Sequence, residues 1–386
     1  MKADSIRLTD VGSFPLDANL DRYLKGAHEL EMNSGNIATE DTQYFITKHN
    51  ETFLSKARAL GPQNAVTSYA QCRGMISQFL LPETHRAKGV TEFESDEKIS
   101  FNEISKTDSQ TLAAAIAIGK VPLSREGVVF AEVSALQHDA KQICEELGVE
   151  RISYKACITG PLELSLNLQR LADFPRTYDE KLMEFFTEVV KGYAQSAIVN
   201  SKHLSIEIVT LDEPTIGFEG LGDFFTDSAS DRNLNHMISC WNRIYSEIPS
   251  SIYKGIHLHR SPFEALFQAK WNLIEAHVGV YVKRQWLENY DKFVRAAVVR
   301  TDGPTFDDDS DVKASWQEIF SGNYEPYLQP TSEMEKNLHQ TVDLYGVERI
   351  PFAGPECGFG PWDWKHGPEM AIATLERLNS VVCKYD

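Results

Sequence analysis

Four side chains in the carboxyl-terminal half of this sequence have the types and spacing of a metal-ligand set. His257 and His259 are two residues apart. In a β-strand such residues point to the same side, so both imidazoles can enter one space. Glu275 and Cys357 follow in later segments. Alone, His-x-His carries little weight, because a buried histidine is more often a satisfied core residue than a ligand. The donor types add weight: two imidazoles, a carboxylate and a thiolate suit tetrahedral zinc, whereas magnesium and calcium avoid thiolates. Zinc held in this way activates either a thiol as nucleophile or a water for hydrolysis.

Such ligands need rigid elements that end in one place. Short β-branched runs alternate with longer stretches of helical periodicity, the pattern of parallel βα units. Strands are expected over 6–11, 65–69, 152–158, 204–211, 252–259, 272–276, 296–300 and 349–353. Eight strands close a barrel, so the fold class is α/β, a (βα)8 TIM barrel with 1–386 as one domain. Helices are expected over 180–201, 233–248, 289–298 and 368–382. Residues 81–149 are too many for one connection after strand two and read as an insertion over or beside the barrel mouth. Within it, 127–134 suggests a strand and 138–147 a helix. Asp307, Asp308 and Asp309 read as a solvated loop, since no glycine and no spacing of calcium ligands accompanies them.

In such barrels the chemistry collects at the carboxyl ends of the strands. Here the ends read Gly12-Ser13-Phe14-Pro15, Gln71-Cys72-Arg73, Thr159-Gly160-Pro161, Asp212-Glu213-Pro214, His257-Leu258-His259, Glu275, Asp302-Gly303 and Pro355-Glu356-Cys357-Gly358. Nearly every one carries a polar or a conformationally permissive residue.

Composition limits the partners. Lys and Arg total 38 against 56 Asp and Glu, a net charge of −18, which repels polyanions and argues against nucleic acid. No run approaches the roughly 18 apolar residues of a membrane span, and the first ten residues lack a basic segment leading into an apolar run, so the cytoplasm is expected. The six cysteines are scattered through a chain that needs no covalent staples and read as free thiols.

The ordered set Gly12-Ser13-Phe14-Pro15, Thr159-Gly160-Pro161, Asp212-Glu213-Pro214, His257-x-His259, Glu275 and Pro355-Glu356-Cys357-Gly358 resembles the carboxyl-terminal catalytic barrel of cobalamin-independent methionine synthase. The resemblance implies a Zn2+ ion on His257, His259, Glu275 and Cys357, with homocysteine's carboxylate received at Gly12 and Ser13 and its amino group at Asp212. It implies transfer of a methyl group to that thiol, with Asp212 and Glu275 serving the reaction and Glu275 displaced as the thiol arrives. Two departures stand out. His259 occupies a place where the family has cysteine, which takes the summed charge of zinc and ligands from −1 to 0. Gln71 stands where a His-Gly-Glu segment offers a glutamate to the substrate amine. The chain also looks like the short core form without the family's amino-terminal barrel, for which the methyl donor is a methylated corrinoid protein or a methyl-pterin.

Other readings remain. Barrel zinc hydrolases carry His-x-His on strand one, where this chain has Gly12-Ser13. Metal-free decarboxylation gives Cys357 and Glu275 no shared task, and a binding barrel would leave Asp212 a helix cap and Cys357 a buried apolar residue. His277 and His366 read as exposed or structural, Trp362 and Trp364 as a pocket floor or ordinary packing, and Asp302 as a residue that orients a ligand or the donor.

Overall fold

A computed structural model describes residues 5–88, 104–121, 128–216, 230–306 and 311–385. Eight parallel strands close into a barrel in chain order: β1 (Arg7–Thr9), β2 (Ala65–Ser68), β3 (Ile152–Thr159), β4 (Leu204–Asp212), β5 (Tyr253–Leu258), β6 (Leu273–Ala276), β7 (Phe293–Val299) and β8 (Phe352–Pro355). The helices among the described residues are α1 (Leu20–Met32), α2 (Glu40–Leu60), α3 (Ser77–Lys88), α4 (Lys106–Ala117), α5 (Ala131–Leu147), α6 (Pro161–Leu171), α7 (Glu180–Ser196), α8 (Ser230–Ser246), α9 (Arg284–Asn289), α10 (Val312–Ser321), α11 (Thr331–Tyr345) and α12 (Gly367–Val382). The (βα)8 barrel expected from the strand pattern is therefore the fold. None of these helices is long and apolar enough to cross a membrane.

Two expected elements differ. The helix expected over 289–298 is not there, because α9 ends at Asn289 and β7 begins at Phe293. Its apolar residues alternate: Val294, Ala296 and Val298 pack with the outer helices, while Phe293 faces an inner cluster and Arg295 meets Glu275. Period two thus outweighs a run that also fits a helix. The strand expected over 127–134 is likewise absent from its described part, since Ala131 opens α5. Residue 127 and the acids at 307–309 lie outside the described residues. Of the stretch 81–149, α4 packs on α3, α6 and α7, and α5 packs on α2.

Alternation along the strands sorts the barrel interior into layers. Val66, Ile208, Leu273, Phe293 and Phe352 form a small apolar cluster, with Tyr253 packed against it. Two residues further along, the same strand faces present Thr210, Gly255, Glu275, Arg295 and Gly354; another two bring Asp212, His257, His277 and Glu356. The apolar cluster plugs one end, a charged layer lies above it, and the candidate site opens at the carboxyl ends. The outer core is conventional. In α7, capped by Asp179 on the backbone amides of Lys181 and Leu182, the residues Leu182, Phe185, Phe186, Val189 and Val190 turn one buried face to the barrel.

Candidate metal centre

His257 lies in β5, His259 just past its end, His277 just past β6, and Cys357 two residues beyond β8. One ligand atom from each of these four lies within 4.8 Å of all the others. Cys357 Sγ is 3.8 Å from His259 Nε2, and the His259 and His277 rings are 4.2 Å apart between centroids. Donors on a tetrahedral zinc are separated by about 3.3–3.8 Å for bonds of about 2.0–2.3 Å, so a small inward rotation closes the set on an ion.

The surroundings fit a cation. Both ring nitrogens of His257 and Nε2 of His277 are buried without a hydrogen-bond partner, an arrangement that ordinarily costs about 1–3 kcal/mol per group and that a metal relieves. Burial pulls His259 and His277 down to about 4, and burial, His259 and Arg295 pull His257 well below 6.5, so the imidazoles are neutral at pH 7 and available as donors. Burial, with Asp212 beside it, pushes the Cys357 thiol up to about 12. Three imidazoles and a thiolate are donors that zinc accepts and that magnesium and calcium do not.

Glu275 is not in this group. Its Oε2 accepts from Lys155 Nζ at 2.6 Å and lies 3.4 Å from Arg295 Nε, its Oε1 accepts from Thr210 at 2.8 Å, and it approaches His257 Nδ1 only to 4.0 Å. Burial opposes its charge, but Lys155 and Arg295 outweigh burial and hold its pKa below the usual range. The structure therefore brings His257, His259 and Cys357 together and completes the quartet with His277, one layer above Glu275 on the same strand face. Glu275 lies in register beside His257 without a hydrogen bond to it. His277 repeats the two-residue spacing of the His-x-His pair in Glu275-Ala276-His277, which is the signal that would have found it. Lys155 and Arg295 were also missed; each is the one charge in an otherwise uncharged strand.

Glu356 ties the rim together. Its carboxylate accepts from the backbone amides of Val278 at 3.0 Å and Thr301 at 3.1 Å, and Oε2 lies 3.8 Å from His277 Nδ1. One side chain thus joins the segments after β6, β7 and β8. Arg295 donates to the carbonyls of Pro355 and Glu356 and fixes the same turn from inside.

Gly12, Ser13 and Gln71 meet on the opposite wall. Gln71 pairs with Ser13, and its backbone N–H donates to the Gly12 carbonyl at 2.9 Å. A Cβ on Gly12 would stand 2.8 Å from Gln71 Oε1, so that side chain lies over the glycine. Ser13 presses on the Cys357 turn: its carbonyl accepts from Phe359 at 2.8 Å, and a Cβ on Gly358 would reach within 2.0 Å of Ser13 Oγ. Asp212 pairs in register with His257 and is buried, its Oδ1 without a partner. Burial, then Glu163, Glu213 and Glu275, raise its pKa well above the carboxylate range. The neighbouring Glu213 points the other way, accepting from the amides of Leu162 and Glu163 and capping α6.

A cavity of about 610 Å³ opens above the quartet, lined by His259, His277 and Cys357 with Arg260, Arg300 and Asp302 among its walls. Trp362 does not floor it; the indole is buried and donates to the Thr301 carbonyl at 3.0 Å. His366 lies apart, 3.4 Å from Glu369.

No protein-family model matches the sequence, and no curated protein matches it. Solved structures do resemble the fold. A methyltransferase from Methanosarcina mazei is 10% identical and superposes with a TM-score of 0.53, covering 99% of this chain and 95% of that one. A B12-independent methionine synthase from Shewanella sp. W3-18-1, solved with selenomethionine, is 13% identical with a TM-score of 0.49 and 98% of each chain covered. At 10% identity the likeness to the Methanosarcina mazei structure is one of fold, over nearly the whole chain.

Proposed function

We propose that this chain is a zinc-dependent methyltransferase that moves a methyl group to a small thiol, with homocysteine the acceptor and methionine the product. The observation that carries this reading is the quartet of His257, His259, His277 and Cys357, whose ligand atoms lie within 4.8 Å of one another at the mouth of the barrel. The order of strand-end motifs and the methyltransferase whose fold it shares support it further.

His257, His259, His277 and Cys357 would hold the ion. Bound zinc lowers the pKa of a thiol and keeps it as a nucleophilic thiolate near neutral pH. The chain's own residues supply the rest. The cavity above the quartet admits the acceptor and brings it beside the donor's methyl group, so that the two react as one bound unit. Asp212, with a buried oxygen left without a partner, receives the acceptor's amino group; the ammonium favours the ionised carboxylate, whose proton leaves to solvent. Ser13 and the backbone at Gly12, with Gln71 across them, line the side that receives the acceptor's carboxylate. Glu356 and Arg295 hold the Cys357 turn so that the thiolate side of the quartet stays in place while the acceptor exchanges. The donor is a methylated corrinoid protein or a methyl-pterin, and the setting is the cytoplasm.

The test is to incubate zinc-loaded protein with homocysteine and, in parallel, methylcobalamin or a methyl-pterin, and to assay methionine. Product is expected with one donor and is expected to vanish in Cys357→Ala. No methionine from any pairing would rule out homocysteine as the acceptor.

A further inference from the structure

A second set of soft metal donors lies on the outer wall, away from the barrel mouth. His236 and Cys240 are four residues apart on α8 and therefore share one helix face. Glu184 comes from α7, which packs beside α8. Glu184 Oε1 is 2.8 Å from His236 Nε2, and Cys240 Sγ is 3.9 Å from each of these two atoms. Those separations bracket the edge of a zinc tetrahedron, about 3.3–3.8 Å. The three atoms form one face of such a tetrahedron with little movement.

We propose that Glu184, His236 and Cys240 form a second zinc site, a clamp between α7 and α8. Three features support it. Tyr178 Oη lies 2.7 Å from His236 Nδ1, so the ring is held by its far nitrogen while Nε2 faces Glu184 and Cys240; metal-bound histidines are commonly oriented by such a partner. Arg243 donates to Glu184 Oε2 at 2.6 Å and to Glu188 at 3.1 Å, which fixes the carboxylate and leaves Oε1 for the ion. Glu184 and His236 also line a cavity of about 600 Å³, with room for a water or an outside ligand as fourth donor.

The charges and protons balance. Glu184 and a Cys240 thiolate offset the dication, while Glu188 answers Arg243. On binding, the Cys240 thiol proton leaves to solvent, and the imidazole proton moves from Nε2 to Nδ1, from which it donates a hydrogen bond to Tyr178 Oη. Nitrogen and sulfur donors select zinc over magnesium and calcium. The site braces the helices on either side of β4, the strand that carries Asp212, and it does not depend on the function proposed for the barrel mouth.

Elemental analysis of the purified full chain separates the two sites. Two zinc ions per chain are expected in the wild type, one in Cys357→Ala, one in His236→Gln, and none in the double variant. His236 is part-exposed, so His236→Gln opens no buried cavity. In the Cys357→Ala background, cobalt in place of zinc should give a thiolate-to-cobalt absorption band that Cys240→Ala abolishes and Cys144→Ala does not. Zinc should also raise the Tm of Cys357→Ala and leave that of the double variant unchanged. Equal zinc content in the wild type and His236→Gln, or a cobalt band that survives Cys240→Ala, would overturn the proposal.

Discussion

Glu275 and His277 stand two residues apart on one strand face, yet the structure gives them different tasks. The carboxylate neutralises Lys155 and Arg295 inside the barrel, and the imidazole joins the quartet. His277→Ala removes a donor, so zinc affinity should fall by at least about 100-fold, more than the usual 10–100-fold for losing a residue that merely orients a ligand. Glu275→Gln should keep zinc with a loss inside that smaller range. It should also destabilise the fold by roughly 3–5 kcal/mol, because two buried cations lose their counter-charge. Competition with a metal-binding dye and urea melts measure both, and total loss of zinc from Glu275→Gln with none from His277→Ala would reverse the assignment. The sequence made His257, His259 and Cys357 visible through donor type and position at strand ends. It could not rank Glu275 against His277, because depth along a strand is set by partners on other strands. Lys155 from β3 and Arg295 from β7 hold Glu275 down, and neither is near it in the chain.

At the scale of elements, the site depends on how closely the segments after β1 and β8 approach. Gly358 permits that approach, since any Cβ there would meet Ser13 Oγ at 2.0 Å and the Ser13 carbonyl at 2.6 Å. Gly358→Ala should force the two segments apart, costing about 1–3 kcal/mol as overpacking does and weakening zinc binding, although the residue is no ligand. Calorimetric Tm and zinc content check this; an unchanged Tm with full zinc would show that the contact does not matter. The strands were largely legible because apolar and polar residues alternate and the polar ends punctuate them. The exception at 289–298 is instructive: Val294 and Val298, four apart, would share a helix face, but Ala296 between them completes a strand alternation, and Arg295 on the other face finds its partner on β6. The excess length of 81–149 was legible, but not that α5, beginning at Ala131, would pack on α2.

For the whole molecule, acid stability should follow the buried histidines. His49 is fully buried, with Nδ1 2.9 Å from Asn50 Oδ1 and Nε2 accepting from the Ala70 amide at 3.3 Å. Burial lowers its pKa from 6.5 to about 4, against smaller opposing effects of Asn50 and Glu132. As pH falls, the unfolded chain takes the proton first. Stability present above pH 6.5 is thus lost between 6.5 and 4, by roughly 3 kcal/mol at 1.36 kcal/mol per unit. His49→Gln should flatten that part of the profile relative to the wild type, the other histidines cancelling in the comparison; parallel profiles would exclude His49 as a source.

The central claim is that one zinc ion on three imidazoles and one thiolate receives the acceptor thiol. X-ray absorption at the zinc edge tests it most directly, on Cys240→Ala protein so that the outer site contributes no sulfur. One sulfur among four donors is predicted at rest, and a second sulfur when homocysteine is added. A zinc shell without sulfur at rest, or one that does not change on adding the thiol, would contradict the account.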